Sequence, residues 1–288
     1  MTESVPPTGN ELIAGRYAID QEVHAGGMSR VYRARDVQTE QTVALKRPAR
    51  DDPGTLTRFL EEAQILSELN HPAIVRLLAH GGATYTEAHI VMEWLDGETL
   101  EARLSAGRMS VADALNVTRR AAEALSAVHR AKVAHRDVKP TNLLLCDGLA
   151  ARTKLIDFGI ARREAARGLT THASFAGGTW AYMSPEQAMG SAELGPRADV
   201  YSLGCVCFEA ISGEPAFPDD RAQAVLAKVW QPPPDLNDYC LGLPKPLLTL
   251  VAKMLATDPT QRPRDGSALV TELLALGKLP DTPAALRP

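Results

Sequence analysis

With 288 residues, 45% hydrophobic and 23% charged, the chain has the makeup of a globular protein with a substantial core, in one large domain or two modest ones. A formal net charge of −4 gives nucleic acid or an anionic membrane no electrostatic claim to be the main partner. No apolar run is long enough to cross a bilayer, and the polar, proline-bearing N-terminus lacks the basic-then-apolar order of a signal peptide.

Residues 1–14 read as a flexible lead-in, with structure beginning near Tyr17. Short β-prone pieces at 17–23, 31–35 and 42–46 are separated by glycine-bearing turns. Residues 56–69 read as a helix, because Phe59, Ala63, Leu66 and Leu69 recur on one side while glutamates fill much of the rest. Pro72 blocks its simple continuation. Strands at 74–78 and 89–93 follow, flanking Gly81 and Gly82.

After Gly97 the period changes. Ala114, Val117, Ala121, Leu125 and Val128 define a long helix at 111–130. Short strands are expected at 142–145 and 154–156, then helices at 200–211, 221–229, 247–255 and 267–276. Pro232, Pro233 and Pro234 read as a rigid surface connection. Cys146 and Cys240 stand apart, and Cys205 and Cys207 fall in an apolar run. No pair has zinc-knuckle spacing, so small buried hydrophobes in a reducing cytoplasm are expected. The fold class is α+β: a small β-rich lobe with one main helix (15–96), a larger helical lobe (97–277) and a tail (278–288), with a crevice expected near residues 93–97.

The run His135, Arg136, Asp137, Val138, Lys139, Pro140, Thr141, Asn142 sets a carboxylate, a cation and an amide at offsets that suit phosphoryl transfer to a hydroxyl. Asp137 can orient the attacking hydroxyl and take its proton, Lys139 can offset charge on the moving group, and Asn142 can hold a divalent metal. Further along, Asp157 is a second hard oxygen donor, followed by Phe158 and Gly159. With Val43, Ala44, Leu45 and Lys46 upstream, this order resembles the eukaryotic-like serine/threonine protein kinases found in bacteria. The likeness runs from about Tyr17 to Leu276.

The resemblance implies a bilobal kinase fold, ATP and magnesium as cofactors, and a protein or peptide substrate bearing serine or threonine. Lys46 is assigned to the α- and β-phosphates, braced by Glu62, with the adjacent Glu61 as rival. Asn142 and Asp157 are the metal ligands. The phosphate lid corresponds to residues 24–31, with Val23 before it and Gly26, Gly27 and Val31 within it. His24 and Ser29 take the first and third glycine positions, a departure from the family pattern. Met92 guards the adenine pocket, the Glu93 carbonyl and Leu95 amide pair with the adenine edge, and Val31, Ala44 and Leu144 sandwich the ring.

By the same resemblance His135 packs beneath Phe158, and Arg136 receives an activation-segment phosphate on Thr170, Thr171 or Ser174. Thr179 lies in the substrate loop near Asp137. Glu186 pairs with Arg262, and Asp199 fixes the backbone of the catalytic loop. The function expected is ATP-dependent phosphorylation of protein hydroxyls, regulated through the activation segment. The alternatives are a pseudokinase that acts as a regulatory or scaffold module, motivated by the missing glycines, and a small-molecule phosphotransferase. Self-association for trans-phosphorylation is a possible partner mode, and neither nucleic acid nor membrane contact is expected. A cytoplasmic setting is expected, as a whole protein or as the kinase piece of a longer one.

Overall fold

The computed structural model describes residues 12–26, 29–158, 180–191, 194–217, 228–279 and 281–286. Two compact units emerge. One comprises the chain up to Asn70 with Val75–Asp96, and the other His71–Ile74 with Gly97 onward.

The first unit is a five-stranded antiparallel sheet of β1 (Tyr17–Ala25), β2 (Ser29–Asp36), β3 (Thr42–Pro48), β4 (Leu77–Gly81) and β5 (His89–Glu93), in the order β1-β2-β3-β5-β4. One face is apolar: Tyr17, Tyr32, Ala34, Val43, Leu45 and Val91 bury there together with Ile13. The single helix among the described residues of this unit, α1 (Pro53–Glu68), starts three residues before the expected position 56. Asp52 caps it, accepting the Thr55 amide at 2.8 Å, and Pro53 suits the first turn. Phe59, Glu62, Ala63 and Leu66 bury on one face, while Glu61 is exposed.

The fourth strand departs from expectation. It covers Leu77–Gly81 rather than 74–78 and so includes Gly81. Ile74 instead makes a parallel bridge to Leu155 in the second unit, of which it is a part. One apolar run thus serves two structures, and no local pattern marks where the division falls.

The second unit opens with elements too short to show a period: β6 (Gly97–Thr99) and α2 (Leu100–Ser105). β6 pairs with β7 (Leu143–Cys146), which pairs with β8 (Thr153–Leu155). Gly97 has φ 151°, and a Cβ there would lie 2.1 Å from the Leu145 carbonyl oxygen, so this entry to the sheet requires glycine. Helix α3 (Val111–Arg130) has the expected bounds, with its first turn capped by Ser110.

The short α4 (Pro185–Ala188) precedes α5 (Pro196–Ser212), in which nearly every residue from Ala198 onward is buried. A helix apolar on all sides belongs at the centre of a core. Cys205 and Cys207 are indeed small buried groups of α5, and all four cysteines are free thiols. Helices α6 (Lys245–Met254) and α7 (Gly266–Ala275) complete the bundle. A Cβ on Gly266 would meet the Ser126 amide at 2.5 Å, which shows how closely α7 seats on α3.

The segment read as a tail is tied down. Its Thr282 carbonyl accepts the Val111 amide, and β10 (Ala285–Leu286) pairs with β9 (Cys240–Leu241). The helix expected at 221–229 lies outside the described residues except at its end. The β-rich unit with one helix and the larger helical unit are those of the expected α+β, kinase-like fold.

Candidate functional site

In the β-rich unit, strand register gathers one set of side chains on one face of the sheet. Val31 stands opposite Lys46, and Ala44 opposite Met92. Directly opposed residues share a face, and alternation puts Ala44 and Lys46 on the same side of β3. Lys46 is 4% exposed, and its Nζ lies 2.6 Å from Glu62 Oε1 on α1. Of the two adjacent glutamates, Glu62 is therefore the one that meets the lysine.

Met92 is buried, whereas Val31, Ala44 and Leu95 are half-buried. Val23 sits at an irregularity of the β1–β2 register and is 42% exposed. The Gly26 amide donates to the Ser29 carbonyl at 2.9 Å, closing the turn between β1 and β2. Gly27, in that turn, lies outside the described residues. Glu93 is anchored at the end of β5 by Arg76, whose amide donates to Glu93 Oε1 at 2.8 Å.

In the helical unit, the loop between α3 and β7 draws its polar residues together. Asp137 Oδ2 lies 3.0 Å from Lys139 Nζ and 3.2 Å from Asn142 Nδ2. Asn142 is buried, and its Nδ2 also donates to the Asp137 carbonyl at 2.8 Å. That pairing fixes the orientation of the amide and leaves Oδ1 as its lone-pair donor. Leu144 is half-buried on β7, next to the loop.

His135 is fully buried, and its ring lies 5.2 Å from that of Phe158. The Asp137 amide donates to His135 Nδ1 at 3.3 Å, so the imidazole proton sits on Nε2 and is donated to the Asp157 carbonyl at 2.5 Å. His135 thereby joins the loop carrying Asp137 to the backbone of Asp157. Asp157 itself is half-buried.

Arg136 has φ 66°, a left-handed conformation that costs a non-glycine residue about 1 kcal/mol or more. Asp199, buried in the first turn of α5, holds it there. Its carboxylate accepts the His135 amide at 2.8 Å and the Arg136 amide at 2.7 Å. A third donor was not anticipated from sequence: His129 Nε2, 2.8 Å from Asp199 Oδ2, with its Nδ1 accepting the Gly266 amide. The only sequence signal for His129 is a polar residue at the end of a buried helical face.

The Arg136 guanidinium donates to the Leu194 carbonyl at 3.1 Å, and the Arg136 carbonyl accepts from Gln187 Nε2 at 3.0 Å. Glu186 and Arg262 form a two-pronged pair at 2.7 and 3.0 Å, with Arg262 buried. Tyr182 donates to Glu209 Oε2 at 2.7 Å, and burial holds the Glu209 carboxyl above its ordinary range. Gly159, Thr170, Thr171, Ser174 and Thr179 lie outside the described residues.

A β-rich unit with a buried lysine–glutamate pair, and a helical unit whose loop clusters Asp137, Lys139 and Asn142 under Asp199, have the parts of a phosphotransferase of the kinase class. Comparison with known proteins agrees. Residues 17–274 match the family described as protein kinase domain. Serine/threonine-protein kinase PknB of Mycobacterium leprae (strain TN) is 36% identical over 284 residues, covering 95% of this chain and 45% of that protein. PknB of Mycobacterium tuberculosis (strain ATCC 25177 / H37Ra) is 37% identical over 285 residues, with the same coverage. PknA of the same strain is 35% identical over 293 residues, covering 98% of this chain and 66% of the relative. The chain belongs to the protein kinase family, in its bacterial, eukaryotic-like branch. It spans about half the length of the PknB relatives.

Proposed function

We propose that this chain transfers the γ-phosphoryl group of ATP to a serine or threonine hydroxyl of a protein. The observation that carries the reading is the Asp137 cluster: a carboxylate touched by Lys139 and Asn142, on a strained loop fixed by buried Asp199. Family membership and the names of the relatives support the choice of ATP as donor and serine or threonine as acceptor.

In this reading Asp137 orients the incoming hydroxyl and takes its proton late in transfer, while Lys139 offsets charge on the moving group. Lys46, held by Glu62, steadies the α- and β-phosphates. Val31, Ala44, Met92 and Leu144 contact the adenine, with the Glu93 carbonyl and the Leu95 amide at its edge.

Asn142 Oδ1 and the Asp157 carboxylate are hard oxygen donors that suit magnesium, which favours one or two such groups beside phosphate oxygens. When bound, the cation neutralises phosphate charge. Thr179 favours a hydroxyl substrate beside Asp137. Phosphate on Thr170, Thr171 or Ser174 acts as a switch through Arg136, whose planar fork suits that anion. Catalytic domains pairing to phosphorylate one another fit this scheme. Use of ATP fits a cytoplasmic setting, and among the described residues no helix is long and apolar enough to cross a membrane.

One feature favours the reading of a catalytically impaired binding module, namely His24 and Ser29 in place of lid glycines. A single experiment separates the two. Purified protein is incubated with magnesium-ATP, with and without a broad serine/threonine peptide library, beside Asp137→Asn, and phosphosites are mapped by mass spectrometry. Incorporation that falls about a thousandfold in the variant supports transfer. A folded parent protein that labels neither itself nor any peptide favours the binding module.

A further inference from the structure

Among the described residues, the most buried cation that the sequence did not single out is Lys228, 1% exposed, in the helical residues 228–230. Its Nζ donates to three backbone carbonyls, Trp180 at 2.5 Å, Ala181 at 2.5 Å and Met183 at 3.0 Å. Three carbonyls match the three N–H donors of an ammonium group. The Phe217 ring centre lies 5.0 Å away and that of Tyr201 5.9 Å, which adds the favourable faces of two aromatic rings. A charge is tolerated out of water only with such compensation.

The grip falls on the main chain. Three carbonyls of the turn Trp180–Tyr182 and its successor Met183 converge on one point, which fixes the path of that backbone whatever its side chains are. The following residues are held by other means. Tyr182 bonds Glu209, Glu186 pairs with Arg262, and Gln187 reaches the carbonyl of Arg136 beside Asp137. Lys228 thus secures the end of the segment adjoining Thr179, and the remaining contacts secure the end joined to the catalytic loop.

We propose that Lys228 is a positioning residue for the protein substrate, setting the main-chain path of residues 180–183 so that the peptide around the accepting hydroxyl docks in register with Asp137. The inference rests on the phosphotransfer reading above and adds a determinant of substrate binding to it. Lysine suits the role because its three donors radiate from one atom, whereas arginine spreads its donors over a larger planar fork.

The test is steady-state kinetics on the full chain, varying in turn ATP and a peptide that the parent protein phosphorylates, for Lys228→Met and Lys228→Arg. The expected result is a peptide KM raised about tenfold or more in Lys228→Met and less in Lys228→Arg, with KM for ATP moving less than about twofold. If Lys228→Met does not fold, the same split in Lys228→Arg supports the role. An unchanged peptide KM overturns the proposal. So does a parallel rise in both KM values with a lowered Tm, which marks a packing role alone. A parent protein that transfers no phosphate sinks the phosphotransfer reading and the proposal with it, whereas an active parent with unaltered variants sinks the proposal alone.

Discussion

Lys46 and Glu62 meet at 2.6 Å with both side chains buried, one on the third strand and one on helix α1 of the β-rich unit. The pair joins a sheet to a helix through an ionic contact. Glu62→Ala removes the Glu62 carboxylate from a buried ammonium, and the expected loss is about 3 kcal/mol of stability, read by denaturant unfolding. Phosphotransfer should fall with it. Replacing both partners by apolar residues, Lys46→Met with Glu62→Leu, should recover most of the stability and none of the activity. Recovery of both would show that the pair only holds the fold.

Asp199 offers a different balance. It accepts three hydrogen bonds, from His129, His135 and Arg136, and keeps Arg136 in its left-handed backbone conformation. Asp199→Asn sets an amide N–H against one of those donors. The predicted cost is about 2 kcal/mol, with kcat falling more than KM for ATP, since the loop bearing Asp137 loses its brace. An unchanged kcat would mean that the loop holds its shape without the carboxylate.

Acid stability should carry the mark of Asp36. Arg16 bonds both of its oxygens, at 2.8 and 2.7 Å, and holds its carboxyl well below the ordinary value of 3.8. Its contribution is therefore complete above the unfolded value and is lost as pH falls through the folded one. Asp36→Asn should flatten the fall in Tm below about pH 4 while lowering Tm at neutral pH. A parallel acid limb in parent and variant would contradict this.

The thiols should be inert until the fold opens. Burial pushes Cys205 and Cys207 up to about 11, and raises Cys240 as well. At pH 8 only about one thiol in a thousand is then ionised, and none of the four is exposed. A thiol reagent should label the native protein hardly at all and all four cysteines in denaturant. Fast native labelling of one would show local opening.

Much of this molecule was legible beforehand where a pattern repeats. The helix at Val111–Arg130 was readable to the residue because five apolar positions keep step along it. Glu62 was preferred to Glu61 on the family resemblance, and the structure supplies the physical reason, since Glu62 shares the buried face of Phe59 and Leu66 while Glu61 is exposed. Gly97–Thr99 and Leu100–Ser105 were not legible, since elements of three and six residues complete too little of a period. The start of the fourth strand was misplaced because Ile74 is as apolar as its neighbours, and its partner Leu155 is remote in the chain.

Order along the chain determined which chemical groups this protein owns: the aspartate, lysine and asparagine of one loop, a lysine at a strand end, and two units of different period. Tertiary structure alone decided which distant groups hold them. Lys228 beneath Trp180 and His129 between Gly266 and Asp199 look like any lysine or helical histidine in sequence. Local propensity reports on neighbours a few residues away, whereas a buried charge is placed by whichever remote carbonyls or amides compensate its loss of water.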